Sequence, residues 1–368
     1  MNPTPIVIVT GACGFLGLHV CKTLAERGVG IGIVDSCTYA AVNRSKVYDA
    51  RSVRFGMQYD ISKPDTFTAL DEEIDLLHNV KVVAVIHLAA ETHVDRSLGL
   101  NPTSLKADDS VDALEQFWRT NAIGTARVAQ WCARNDIRMI HVSTDEVLGD
   151  RRVGPFIDGG GRIGSATVDE ADVCAPGNGP GSPYAASKIA AEAAVMAEVR
   201  CSGLDAVIVR PTNLYGPGQA ADKLIPVAIR KLLANELVPL YGDGMHIREW
   251  VHVQEVAALL VTLALDALDV SCRPEALKCG LVHAGGGQGN RMPNAHLVQF
   301  LHERMVQRGL RPDGPDYATR APDRPGHDRA YALDSSLTAD QVGWRPTRCI
   351  VTNAVLDELI NAYSGPPK

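Results

Sequence analysis

Apolar residues along this chain fall into short runs set between longer stretches where apolar and polar positions recur at helical spacing. Ile6-Val7-Ile8-Val9-Thr10, Ile31 to Val34, Val53 to Met57, Val82 to His87 and Arg138 to Val142 read as strands. Most are continuously apolar, as in strands covered on both faces. Helical patterns follow several of them: one opens in the glycines after Thr10 and runs through Arg27, one covers about Leu114 to Arg134, and one starts at Ser182-Pro183. Serine as cap and proline at the first helical position are a start signal for that third helix. The alternation predicts an α/β protein with a doubly wound parallel sheet. Two stretches break the pattern: the polar segment Asn101 to Asp112 reads as a surface excursion, and Gly154 to Gly181, rich in Gly, Pro and Asp, as a long irregular loop bordering a binding site.

Composition narrows the class. With 368 residues, 46% of them hydrophobic, the chain can bury a sizeable core and has length for a large domain with a smaller one appended. Aromatic residues are sparse, and Val, Leu, Ile and Ala supply most of the apolar side chains. A net charge of -7 without a lysine or arginine block argues against nucleic acid as a partner. Nine scattered cysteines without a C-x-x-C pair fit reduced thiols in the cytoplasm. No secretory leader or membrane-spanning run is expected.

Candidate chemistry sits at the ends of the strands. Gly11-x-x-Gly14-x-x-Gly17 lies between a strand and a helix, where glycines allow a tight turn and bring helix-end amides close to a pyrophosphate. Asp35 ends the next strand, placed to accept hydrogen bonds from an adenosine ribose and to repel a 2'-phosphate, which favours NAD over NADP. Asp60-Ile61 suits an adenine-side contact, and the small residues of Leu88-Ala89-Ala90 let a ligand approach the backbone. His87, His93, His246 and His252 complete no ligand set, so no metal is expected. Ser143-Thr144-Asp145-Glu146 places two carboxyls beside two hydroxyls after a buried strand; the same letters spell a helix capping box. Tyr184 and Lys188, four apart, share a helix face, where an ammonium lowers the pKa of a phenol; a ring resting on a lysine stem has the same spacing.

Taken together, Gly11-x-x-Gly14-x-x-Gly17, Asp35, Leu88-Ala89-Ala90, Ser143-Thr144 and Tyr184-x-x-x-Lys188 resemble the extended short-chain dehydrogenase/reductase superfamily. Thr144-Asp145-Glu146 resembles its nucleotide-sugar 4,6-dehydratases of the dTDP-glucose type. The likeness continues through Ala89 to Ser97, Lys223-Leu224-Ile225-Pro226, Tyr241-Gly242-Asp243-Gly244, Arg248-Glu249-Trp250 and Asp323 to Arg329. It implies a Rossmann-like NAD-binding domain over 1-210 carrying the catalytic residues, a mainly substrate-binding α/β domain over 211-368 with some elements returning to the first, and a homodimer. It implies that Tyr184 takes the C4 hydroxyl proton of a nucleotide-activated hexose while NAD takes the hydride, with Lys188 holding the tyrosinate and Thr144 the C4 oxygen. Glu146 is then the base at C5 and Asp145, protonated, the acid at the C6 hydroxyl. The product is a 4-keto-6-deoxy sugar of deoxysugar biosynthesis.

By the same resemblance the dinucleotide contacts add Phe15, Leu16 and Thr120 to Gly11, Gly14, Gly17, Asp35, Asp60, Ile61, Leu88, Ala89, Ala90, Tyr184 and Lys188, with Ser143 structural or at the cofactor's edge. The nucleotide-diphosphate sugar falls to Thr92, Thr144, Asn213, Lys223, Arg248, His283, Arg324 and His327, with Tyr241 stacking on the base. Departures cluster at ligand contacts: Leu214 for an asparagine, Leu148 for a tyrosine, His283 for an asparagine, an altered Gly218 to Asp222, and a longer Asn101 to Asp112 loop. A nucleotide-sugar epimerase, a 5,6-dehydratase and a catalytically silent NAD-binding protein are the alternatives on the same scaffold.

Overall fold

A computed structural model describes residues 3-48, 52-100, 113-150, 179-265 and 279-365. The expected excursion at Asn101 to Asp112 and nearly all of the Gly154 to Gly181 loop lie outside the described residues.

In chain order the strands are β1 (Thr4–Thr10), β2 (Gly30–Val34), β3 (Val53–Met57), β4 (Val80–His87), β5 (Arg138–Val142), β6 (Ala206–Pro211), β7 (Asn213–Tyr215), β8 (Val238–Tyr241), β9 (Ile247–His252), β10 (Cys279–Ala284), β11 (Arg291–Pro293) and β12 (Ala318–Ala321). Seven of them form one sheet, in the order β10-β6-β5-β4-β1-β2-β3, and every pairing in it is parallel. Parallel neighbours need crossovers, and the helices that make them cover both faces. This is the Rossmann-like doubly wound fold.

On one face, α1 (Phe15–Glu26) and α9 (Val253–Leu265) pack together, burying Val20, Leu24, Leu259 and Leu263 against Val7, Val9 and Ile140. On the other, Trp131 and Val195 from α6 (Thr125–Arg134) and α7 (Pro183–Ser202) close over Ile8, Val85 and Met139. Each fully buried Leu, Ile or Val contributes roughly 1.5–3 kcal/mol, so these two layers carry most of the driving force. β6 ends at Pro211, where the two parts of the chain were expected to divide, and α9 and β10 come back to the large sheet from beyond it. A separate core of Ile225, Ile229, Trp250, Leu297, Leu301 and Ile360 joins the small sheets β11-β9-β7 and β12-β8 to α8 (Leu224–Leu233), α10 (Asn294–Gln307) and α12 (Asn353–Tyr363).

One expected helix is interrupted. Where a single helix over about Leu114 to Arg134 was predicted, α5 (Ala113–Phe117) passes into a π-helical segment, Trp118–Gly124, before α6 begins. The wider turn seats Asn121 in the interior. Its side-chain amide donates to the Glu91 carbonyl at 3.0 Å and to Ser187 Oγ at 2.9 Å, and its carbonyl accepts from the Glu91 amide at 2.8 Å. π segments of this kind are frequent at functional sites.

Candidate active site

Strand order reverses between β1 and β4, the place where open α/β sheets bind ligands. A cavity of about 530 Å3 lies there, and it gathers all the residues expected to hold the dinucleotide. Gly11 turns with φ +69°, and a Cβ on it would stand 2.7 Å from the Ala89 nitrogen, so only glycine lets the ends of β1 and β4 converge. At Gly17 a Cβ would meet the Ala12 carbonyl at 2.4 Å, which permits α1 to start tight against the turn. Gly14 caps α1 without a side-chain acceptor, leaving the helix's positive end open to an anion. Asp35 accepts from the Cys13 amide at 2.9 Å and the Cys37 amide at 2.7 Å. These use two of about four acceptor positions on a carboxylate, and the rest suit ribose hydroxyls. The residues present therefore fit NAD.

The opening of the loop after β5 resolves the capping ambiguity. Thr144, not Ser143, is the N-cap: its hydroxyl accepts from the Glu146 amide at 3.3 Å and starts a 3-10 turn, Asp145–Leu148. The same hydroxyl donates to Asp145 Oδ1 at 3.2 Å. Asp145 is 4% exposed, its Oδ2 has no partner among the described residues, and its pKa is pushed well above the usual range by burial and then by the Glu146 carboxylate. Glu146 is also raised by burial, but the guanidiniums of Arg324 and Arg248 pull against that. Two neighbouring carboxyls thus have different environments, which pushes their protonation apart.

Lys188 is buried, and burial lowers its pKa to about 8, with Glu192 opposing the drop. Its Nζ donates to the Val142 carbonyl at 2.7 Å. The expectation that this ammonium depresses the Tyr184 phenol is corrected here. Burial pushes the phenol up, the Glu146 and Asp145 carboxylates add to the rise, and the counteracting group is the Thr144 hydroxyl. Burial is the largest of these causes.

Of the expected substrate contacts, Thr92, Thr144 and Lys223 line the cavity. Burial lowers the Lys223 pKa, while Asp222 and Glu146 oppose the drop. Asn213, Tyr241, Arg248, His283, Arg324 and His327 lie outside that cavity's wall. Tyr241 is half-buried: its hydroxyl donates to Asp95 Oδ2 at 3.1 Å and its ring meets His327 edge-on. Arg324 faces the other oxygen of Asp95 at 3.5 Å. Arg248 gives hydrogen bonds to the Ile247 and Asp328 carbonyls and covers the Tyr331 ring. His283 is buried in β10, where its Nδ1 meets the Asp334 carbonyl at 3.1 Å and its backbone amide donates to Thr338. It braces α11 (Ser336–Val342) there.

Several lining residues were not singled out from sequence. His93, taken as an ordinary histidine, pairs through Nε2 with Asp222 at 2.7 Å across the mouth of the cavity. Burial raises the Asp222 pKa, but the His93 hydrogen bond and Lys223 outweigh that and hold it at about 2. Tyr39 donates to Glu91 at 2.8 Å. Only the altered character of Gly218 to Asp222 hinted that this segment mattered. His246, Asp323 and His327 offer donor atoms within 4.8 Å of one another, but the two imidazoles stack at 3.7 Å with 16° between planes, so their lone pairs do not converge on one ion.

Residues 7–280 match the model of the NAD dependent epimerase/dehydratase family. The chain is 33% identical over 350 residues to dTDP-glucose 4,6-dehydratase of Streptomyces antibioticus, covering 93% of this chain and 88% of that protein. It is also 33% identical over 342 residues to the dTDP-glucose 4,6-dehydratase of Mycolicibacterium smegmatis, covering 92% and 88%. Among solved structures, dTDP-glucose 4,6-dehydratase from Streptomyces venezuelae with NAD bound superposes with a TM-score of 0.75 at 30% identity, covering 98% of this chain and 97% of that one. UDP-glucuronic acid 4-epimerase from Bacillus cereus shares the fold, with a TM-score of 0.76 at 19% identity over 98% and 99%.

Proposed function

The chain belongs to the NAD dependent epimerase/dehydratase family, and from that membership we propose that it is an NAD-dependent 4,6-dehydratase acting on a dTDP-activated hexose. The observation that carries dehydration rather than epimerisation is the pair of buried Asp145 and half-buried Glu146, one carboxyl pushed well above the usual range and the other offset by two guanidiniums. Epimerisation at C4 asks for oxidation and reduction alone. Water loss across C5 and C6 also asks for a base and an acid, and the pair supplies both.

Neither the C5 proton nor the C6 hydroxyl of a hexose is activated until C4 is a ketone. Bound NAD would supply the hydride acceptor at C4, the hydride donor at C6 and a positive charge that favours a tyrosinate. Tyr184 removes the C4 hydroxyl proton, Lys188 orients it from the same helix face, and Thr144 hydrogen-bonds the C4 oxygen. Glu146 takes the C5 proton, now acidic beside the carbonyl, Asp145 gives its proton to the C6 hydroxyl as water leaves, and Glu146 returns a solvent-exchanged proton to C5 as C6 is reduced. Lys223, Arg248 and Arg324 are the cations assigned to the diphosphate. The dimer is assigned to the face of α5 and the π segment, where Leu114, Trp118 and Ile123 are exposed. Cys13, Cys21, Cys37, Cys132, Cys201 and Cys349 are free thiols, in keeping with a cytoplasmic enzyme.

The test is turnover of dTDP-glucose in deuterated water, read by mass spectrometry. The product expected is lighter by one water and carries deuterium at C5, and Asp145→Asn and Glu146→Gln each slow water loss by on the order of 10²–10⁴-fold. A product of unchanged mass, or full activity in both variants, would overturn the assignment.

A further inference from the structure

Two buried hydroxyls on the cavity wall have no hydrogen-bond partner among the described residues: Ser143 Oγ and Thr212 Oγ1. They belong to neighbouring strand ends. Ser143 follows β5 and anchors it to β6 by donating its amide to the Val209 carbonyl at 2.8 Å, while Thr212 follows β6 and donates its amide to the Ala284 carbonyl at 3.2 Å. Val142 pairs with Val209, so Thr212 lies farther along β6 than Ser143 does along β5, and both line the same cavity. Ser143 is 5% exposed and Thr212 4% exposed. A buried hydroxyl without a partner is costly, and native interiors rarely leave one without a reason.

Their surroundings say what group they await. Ser143 sits between Val142, whose carbonyl receives the Lys188 ammonium, and Thr144, the cap beside the reacting centre. This is the redox end of the cavity; Asp35, Asp60 and Ile61 mark the far, adenosine end of the same lining. The nicotinamide ring has one polar substituent, a carboxamide with a carbonyl acceptor and two N–H donors. Each hydroxyl can donate to that carbonyl or accept from that amine. Asp145, the nearest acid in sequence, is turned to Thr144 instead.

We infer that Ser143 and Thr212 form a hydroxyl pair that binds the nicotinamide carboxamide and so sets which atoms of the ring face Tyr184. The inference rests on NAD as the cofactor, as proposed above, and names two positioning residues for it. Neither forms part of the glycine turn, the ribose clamp or the acid-base set.

Titration of Ser143→Ala, Thr212→Val and the double variant with NAD and with ADP-ribose, which carries the same phosphates and adenosine but no nicotinamide, separates binding from turnover. Isothermal calorimetry on apoprotein is the readout. Each single variant is expected to bind NAD about five- to tenfold more weakly, the double variant more weakly still, and all three to bind ADP-ribose as the unaltered chain does. Unchanged NAD affinity in the double variant overturns the carboxamide assignment and leaves the dehydratase reading standing. Equal loss for NAD and ADP-ribose also overturns it, since that outcome marks the hydroxyls as structural. An unaltered chain that gains no affinity from the nicotinamide over ADP-ribose overturns the carboxamide assignment as well, while the dehydratase reading falls only on the product-mass test.

Discussion

Asp145 holds a proton where an exposed aspartate has lost it, and this has a cost that can be measured without substrate. Its folded pKa is raised, so above about pH 4 the folded state keeps a proton that the unfolded chain releases, and stability falls with rising pH through that window. Asparagine does not titrate. Asp145→Asn is therefore expected to gain stability over the unaltered chain by about 1.4 kcal/mol per pH unit as pH rises from about 4 toward the folded pKa, read as the separation of urea midpoints. Midpoints that stay parallel across pH 4 to 7 would show that Asp145 is ionised in the folded state. Legibility at this scale followed locality. The glycine turn, Asp35, Asp60-Ile61 and Leu88 to Ala90 are each read from a few consecutive residues at a strand end, and the cavity contains all of them. Tyr241 and His283 were placed by motif alone, and their partners, Asp95 and Asp334, come from segments 146 and 51 residues away. No local pattern announces such partners.

Elements were legible where one force dominated. Buried parallel strands are continuous apolar runs, and β1, β2 and β5 appear where those runs stand. α7 begins at Ser182, whose hydroxyl accepts from the Ala185 amide at 3.1 Å, and stops at Gly203 in the left-handed conformation; both ends are written in local residues. The π segment was not legible, because it depends on Asn121 finding Glu91 and Ser187 across the fold rather than on spacing. A similar long-range knot holds the second core. Glu249 of β9, wholly buried, binds Arg291 Nε at 2.7 Å and accepts the amides of Gly287 at 2.8 Å and Leu333 at 3.0 Å. Removing one partner strands a buried guanidinium, so Glu249→Ala is expected to cost about 3–5 kcal/mol in chemical denaturation. A loss under 1 kcal/mol would mean that water replaces the carboxylate.

For the molecule as a whole, the exposed apolar side chains on α5 and the π segment bear on assembly. Leu114 is 58%, Trp118 38% and Ile123 49% exposed, on elements that pack beside α7. Burying them against a second copy is expected to make the protein a dimer by sedimentation, and Trp118→Arg with Ile123→Glu to yield monomers that retain the fold. Monomers in the unaltered chain at micromolar concentration would remove that face from consideration.

The order of strands in the large sheet also sets a timetable for synthesis. β1, the first strand made, lies inside the sheet, and the ribosome adds β2 and β3 to one side and β4, β5 and β6 to the other. β10 closes the β6 edge only when residue 284 has been delivered, more than seventy residues after Pro211. Until then the nascent chain carries an open row of amides and carbonyls beside its future active site, a template for unwanted pairing. Completion of the sheet, and with it the wall that carries Thr212, is thus a late event, so a truncated translation product would be both inactive and sticky.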